Sequence, residues 1–159
     1  MKKTNHKGFT LIELLLVIAV IVALAVTVFV ALNPATRLAQ ARDARRTSDV
    51  DAILTAAQEY VVDNSGALPP GVSTTVDTMI GTGSSPAYLV NTGGCNIPTS
   101  STNFTASTTF AKYFAGAPMD PSTGTAANTF YAITESTTTG IITVKACAVE
   151  KQSQIWESR

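Results

Sequence analysis

Residues 9–32 hold 21 apolar side chains in 24 positions and a single charged one, Glu13. As a helix this stretch would run about 36 Å at roughly 1.5 Å per residue. That exceeds the roughly 30 Å hydrocarbon core of a bilayer. The segment is long enough to span a membrane. Lys2, Lys3 and Lys7 precede it. A cleaved secretory signal would use Ala23 and Ala25 as its small-residue site, but the apolar run continues through Val26, Val28, Phe29, Val30 and Leu32. A plain anchor leaves Glu13 unexplained, because an intramembrane carboxylate costs on the order of 2.5–3.5 kcal/mol.

Composition narrows the function. Eleven basic residues balance eleven acidic ones, so a dedicated nucleic-acid binder, which would be clearly basic, is disfavoured. The one histidine, His6, lies in the basic leader, and a chain that loses this leader has no imidazole for acid–base work or metal ligation. No P-loop, His-Glu-x-x-His, Gly-x-Ser-x-Gly or Cys-x-x-Cys pattern occurs. The expectation is a protein without catalytic activity and without a cofactor. The basic run Arg42-Asp43-Ala44-Arg45-Arg46 is diluted by acids and has no aromatic residues interleaved for base stacking, so DNA is not an expected partner. A solvated face, or charges pairing between packed subunits, is the expectation there, with Arg45 and Asp49 positioned to pair one turn apart.

The contiguous stretch Lys7-Gly8-Phe9-Thr10-Leu11-Ile12-Glu13-Leu14-Leu15 resembles the processing site of type IV prepilins and the related secretion pseudopilins. The resemblance implies cleavage between Gly8 and Phe9 and N-methylation of Phe9 by a prepilin peptidase/methyltransferase. It further implies a pool held in membrane lipid, an inner-membrane assembly platform, and a filament of identical or related pilin subunits. In that family the glutamate pairs with the terminal amine of a neighbouring subunit. The chemistry is compatible: cleavage would create an ammonium four residues from Glu13, about one helical turn away, and a buried carboxylate is tolerable when paired with a cation. Glu13 snorkelling to the headgroups is the alternative. The positive-inside rule does not decide topology, since Arg37, Arg42, Arg45 and Arg46 flank the far side. The leader motif and the cysteines place the amino terminus in the cytoplasm and the remainder outside it.

The expected organisation is a leader at 1–8, a membrane and assembly helix at 9–32, an amphipathic helical stem at 33–66 and a head at 67–159. Asn33-Pro34 marks a joint, where either a second helix starts or one long helix kinks. Beyond it Leu38, Ala41, Val50, Ile53, Leu54, Ala57, Tyr60 and Val61 recur at helical spacing, with Gly66 suited to the C-cap. In residues 64–144, 27 of 81 are Ser or Thr, a composition suited to strands with hydroxylated surfaces. A hairpin is expected from 128–134 and 141–149, with weaker elements at 87–90 and 104–114. The fold class is α+β, a long amino-terminal helix packed on a small antiparallel sheet.

Cys95 and Cys147, both in the exported part, are expected to form a disulfide, with two buried free thiols as the alternative. Resembling proteins often staple the head this way. The run Tyr113-Phe114, Pro118-Met119-Asp120-Pro121, Gly124 and Phe130-Tyr131 also resembles the turn before the hairpin in secretion pseudopilins, some of which bind calcium there. Asp120 could be one ligand, but a calcium site wants six to eight oxygens, and several carboxylates are usual. An Asp-Pro turn with Asp120 capping its own backbone is the preferred reading. The functional expectation is a structural subunit of a type IV pilus. The alternatives are a type II secretion pseudopilin and a membrane-anchored extracytoplasmic binding domain that does not polymerise.

Overall fold

The computed structural model describes residues 8–82, 93–97, 112–113 and 116–159. The expected elements at 87–90 and 104–114 lie outside the described residues, apart from Lys112 and Tyr113. The chain forms two compact units, residues 1–38 and 39–159. The architecture is α+β: an apolar helix, a second helix and a four-stranded antiparallel sheet.

Helix α1, Leu11–Leu32, is built almost wholly from Leu, Val, Ile and Ala, with a mean hydropathy of 3.3 and no buried residue. Thr10 caps its start in extended geometry, and Asn33 closes its end in the left-handed region at φ 41°. Asn33 also opens helix α2, Pro34–Asp63. Its carbonyl accepts from the N–H of Thr36 at 3.1 Å and of Arg37 at 3.3 Å. Pro34 takes the first helical position, where its missing N–H costs nothing. The joint is therefore two helices sharing one capping residue. At the far end of α2 the Gly66 N–H reaches back to the Val61 carbonyl at 2.8 Å, the six-to-one closure of a Schellman motif. Ser65 takes the first left-handed position at φ 57° and Gly66 the next at φ 90°.

Strands β1 (Thr78–Met79), β2 (Tyr131–Glu135), β3 (Ile142–Ala146) and β4 (Ile155–Ser158) lie in sequence order, each antiparallel to the next. The hairpin register pairs Tyr131 with Ala146 and Ile133 with Val144, and Ala146 meets Ile155 across the next ladder. Alternation puts those side chains on one face, where they share a core with Val50, Ile53, Leu54, Ala57 and Tyr60 of α2. The ladder is shorter than the expected 128–134 and 141–149, and β1 and β4 add edges that periodicity does not reveal in pieces of two and four residues.

The other face of the sheet is covered in part by residues 93–97. Cys95 and Cys147 are bonded, with Sγ–Sγ 2.05 Å and Cα–Cα 5.4 Å, and their cluster packs on Ala132 with Ile97 alongside. Gly93 makes this approach possible: a Cβ there would lie 2.0 Å from the Ala146 carbonyl oxygen. Asp77, itself buried, secures the same segment by accepting from the Asn96 N–H at 2.6 Å and from Lys145 Nζ at 3.0 Å.

Candidate assembly helix and the charged anchor of the head

Gly8 and Phe9 precede α1 outside any helix or strand. Gly8 has open space around its Cα, and Phe9 is 81% exposed. A protease could reach this peptide bond without displacing any described side chain. Glu13 is held locally. The Thr10 hydroxyl oxygen faces the Glu13 N–H at 3.3 Å, while Glu13 Oε2 accepts from the Thr10 N–H at 3.0 Å and from its hydroxyl at 2.7 Å. This is a complete capping box. It satisfies two of the four N–H groups that a helix start leaves without partners. Thr10-Leu11-Ile12-Glu13 carries the Thr-x-x-Glu pattern openly, so this second role of Glu13 was available in the sequence. Both hydrogen bonds to the carboxylate end on Oε2. Large apolar side chains surround the helix on every side, from Leu11 and Leu14 to Phe29 and Leu32, all exposed.

Within the second unit the stripe that α2 buries differs from the expected one. Leu38 is exposed, as is Ala41, and the buried line runs Ala39, Asp43, Arg46, Val50, Ile53, Leu54, Ala57, Tyr60. Helical spacing is kept, but two of its positions are charged. The run 42–46 is therefore not a solvated face at Asp43 and Arg46, which are 1% and 0% exposed. Arg45 does face solvent and reaches Asp49 at 3.8 Å.

Arg46 is the hub. Its Nε donates to Asp120 Oδ2 at 2.6 Å and its other nitrogens reach Asp120 Oδ1, Asp43 Oδ1 at 2.7 Å, Glu150 Oε1 at 3.2 Å and the Ser122 hydroxyl. The fork of the guanidinium matches the Asp120 carboxylate with two near-parallel bonds. Asp43 accepts in turn from the backbone N–H groups of Glu150, Lys151 and Gln152 at 2.7–3.1 Å. Arg42 pairs with Glu150 nearer the surface. One turn of α2 thus fixes both the 120–124 turn and the 150–152 segment that leads into β4.

These partners set the protonation states. Burial pushes the Asp120 carboxyl up, but Arg46 and the N–H groups of Ser122 and Thr123 override it and bring it down to about 2. Asp43 is held low despite burial by the three backbone N–H groups and Arg46. Burial works against the Arg46 charge, and Asp120 and Asp43 more than offset it. Burial and the hydrogen bond to Asp49, 2.8 Å from the hydroxyl, push the Tyr131 phenol up. Asp43, Arg46 and Asp120 all keep their charges at neutral pH.

Asp120 therefore caps its own turn, with Oδ1 accepting from the N–H groups of Ser122 at 2.9 Å and Thr123 at 3.0 Å. Both of its oxygens are also taken by Arg46. The described residues contain no grouping of three or more acidic, His or Cys side chains suited to a metal. The arrangement is an ion-pair anchor, and Arg46, Asp43 and Glu150 are the members that sequence reasoning missed. Apart from the Asp43–Arg46 pair itself, their partners lie 74 to 109 residues away in the chain, beyond the reach of any local pattern.

Comparison with known families decides the nature of the amino terminus. Residues 3–29 match the prokaryotic N-terminal methylation motif. That motif is characteristic of type IV prepilins and pseudopilins. No curated protein and no solved structure matches the chain. The match ends inside α1, so the residues beyond it stand on their own geometry. That family is structural rather than enzymatic, and its motif implies processing by prepilin peptidase and assembly with related subunits. A motif followed by an unburied apolar helix of 22 residues fits a membrane-anchored pilin-like chain.

Proposed function

We propose that the protein is a structural subunit of a type IV pilus, cut between Gly8 and Phe9, methylated on Phe9, and polymerised through residues 9–32. The observation that carries this reading is α1: a helix with no buried residue, apolar on all sides, directly after the methylation motif. A surface of that extent needs lipid or other helices around it. Lipid serves the membrane pool, with the amino terminus cytoplasmic, and the helices of neighbouring subunits serve the filament. Residues 33–66 form the stem and 67–159 the head, which has no catalytic task in this reading.

Glu13 performs two roles in sequence. In the membrane pool its carboxylate is bound by Thr10, which lowers the cost of holding it at the edge of an apolar segment. In the filament it pairs with the ammonium of a neighbour's Phe9, and a misaligned subunit would leave both charges unpaired. That penalty fixes axial register.

The test is co-expression with a prepilin peptidase and mass analysis of the product. Loss of residues 1–8 with a methylated Phe9 terminus is expected, as is filament mass in the sheared cell-surface fraction. A terminus at Val26 would show secretory cleavage instead. Processed protein found only as short periplasmic polymers would assign the chain to secretion, and monomer confined to the membrane would exclude polymerisation.

A further inference from the structure

The outer face of the sheet carries a feature that neither the assembly helix nor the charged anchor uses. β3 and β4 pair Thr143 with Ser158 and Lys145 with Trp156, and alternation puts all four side chains on the face away from α2. Trp156 is 52% exposed there. With Gly93, Gly94, Thr143, Lys145 and Gln154 it lines an open groove of about 310 Å³. The two glycines leave the groove wall bare. Gly93 has no room for a side chain at all, and Gly94, at φ 75°, has the Gln154 carboxamide beside its Cα, where a Cβ would lie 2.6 Å from Nε2. Among the described residues neither the Gln154 carboxamide nor the Trp156 indole N–H has a hydrogen-bond partner.

Charge selects the ligand class. Among the described residues Lys145 is the only ionised side chain lining the groove, and its ammonium is held by the buried Asp77 at 3.0 Å. The groove is electrically neutral, which removes the attraction that phosphate or sulfate ligands rely on. What remains is one flat aromatic face beside one amide and one hydroxyl. Such a face takes a ligand whose own face is C–H and whose rim is hydroxyl, because the electron-rich ring attracts the slightly positive C–H groups. The amide and the hydroxyl can both donate and accept at that rim. We propose that this groove binds a neutral saccharide, with a pyranose ring stacked on Trp156 and its hydroxyls read by Gln154 and Thr143. The inference is independent of polymerisation, since the groove belongs to one head.

Trp156 is the only tryptophan in the chain, so tryptophan emission, excited to the red of tyrosine absorption, reports on this groove. The full processed protein, monomeric in a sugar-free zwitterionic detergent, is titrated with cellobiose, maltose, lactose and N,N′-diacetylchitobiose, and with glucose 6-phosphate as a charged control. A saturable emission change with at least one neutral disaccharide, in the millimolar range, is expected. Saturation-transfer NMR on the sugar should show binding weakened about tenfold or more by Trp156→Ala and largely kept by Trp156→Phe. Gln154→Ala retains the fluorophore and should weaken binding roughly threefold to tenfold; it decides the matter should Trp156→Ala lose its native circular dichroism. No saturable change with any of the four disaccharides overturns the proposal, as does tighter binding of glucose 6-phosphate. Emission that follows protein concentration instead of sugar would mark the face as a contact between subunits and overturn it as well.

Discussion

Helices α1 and α2 are separated by one residue and treat their side chains in opposite ways. In α1, leucines, valines and isoleucines are all exposed, while in α2 an arginine is 0% exposed and an aspartate 1%. Hydrophobicity alone ranks these burials backwards. The difference lies in what each helix has to meet. α1 offers apolar surface of which none is buried, and in the proposed function lipid or another subunit covers it. α2 meets a head whose loops present Asp120, Glu150 and three backbone N–H groups, so a charged turn can be buried with every group paired. A buried charge is affordable only when its partners are already in place, and here they come from two distant segments of the same chain. The two helices show one rule at two levels of assembly: Glu13 of α1 is proposed to find its cation in another subunit, and Arg46 of α2 finds its anions within its own head.

The largest effect should come from breaking the α1 side of this comparison. Glu13→Leu removes both the cap and the charge, whereas Glu13→Gln keeps a side chain competent for the capping box and removes only the charge. Losing one half of a buried pair costs about 3–5 kcal/mol, or two to three orders of magnitude in each subunit addition at roughly 1.4 kcal/mol per tenfold. Both variants should be cleaved after Gly8 and accumulate in the membrane with few filaments in the sheared fraction. Normal filament yield from Glu13→Gln would reduce Glu13 to a helix cap.

The α2 side breaks next. Arg46→Met leaves Asp43 and Asp120 buried without their cation and should lower the stability of the head by about 3–5 kcal/mol, read from urea unfolding. Arg46→Met combined with Asp120→Leu should recover part of that loss, since replacing a whole buried pair by apolar groups is often nearly neutral. A double variant as unstable as the sum of the two single variants would show that the two residues act independently.

The disulfide sharpens the comparison, because it acts on the sheet face opposite α2. Cys147→Ala opens a link across 52 residues and should cost about 2–4 kcal/mol, with a slower band on non-reducing gels. Free alkylatable thiols in the native exported protein would contradict the bond.

The smallest effect is the pH dependence of the anchor. Asp120 sits at about 2 in the fold against an ordinary 3.8, and Asp43 is lowered in the same direction. A depressed folded-state value means that the stabilisation is present above the unfolded value and is lost as pH falls through the folded one. For Asp120 that is about 2 kcal/mol at roughly 1.4 kcal/mol per pKa unit, lost between about pH 4 and pH 2. The urea midpoint should fall across that window, and Asp120→Asn should flatten the fall. An unchanged slope in Asp120→Asn would place the acid sensitivity elsewhere.

Helix α1 was legible in the sequence because composition and length over 24 contiguous residues carry it. Contiguity likewise carries the methylation motif and the capping box, each complete within a few residues. The later part of α2 and the central hairpin follow from periodicities that also close locally, of about 3.6 and 2. The buried stripe before Val50 did not follow. A pattern that seeks apolar residues picks Leu38 and Ala41, whereas the fold buries Asp43 and Arg46. The burial of a charge is set by the free energy of its partners, and those partners stand near residues 120 and 150. The short strands β1 and β4, the close approach that Gly93 permits and the exposed setting of Trp156 depend in the same way on which segments meet. The sequence by itself determined the apolar helix, its methylation motif and the α+β class of the fold. Only the tertiary structure decided which charges are buried and which aromatic is left open, because both depend on contacts between segments far apart in the chain.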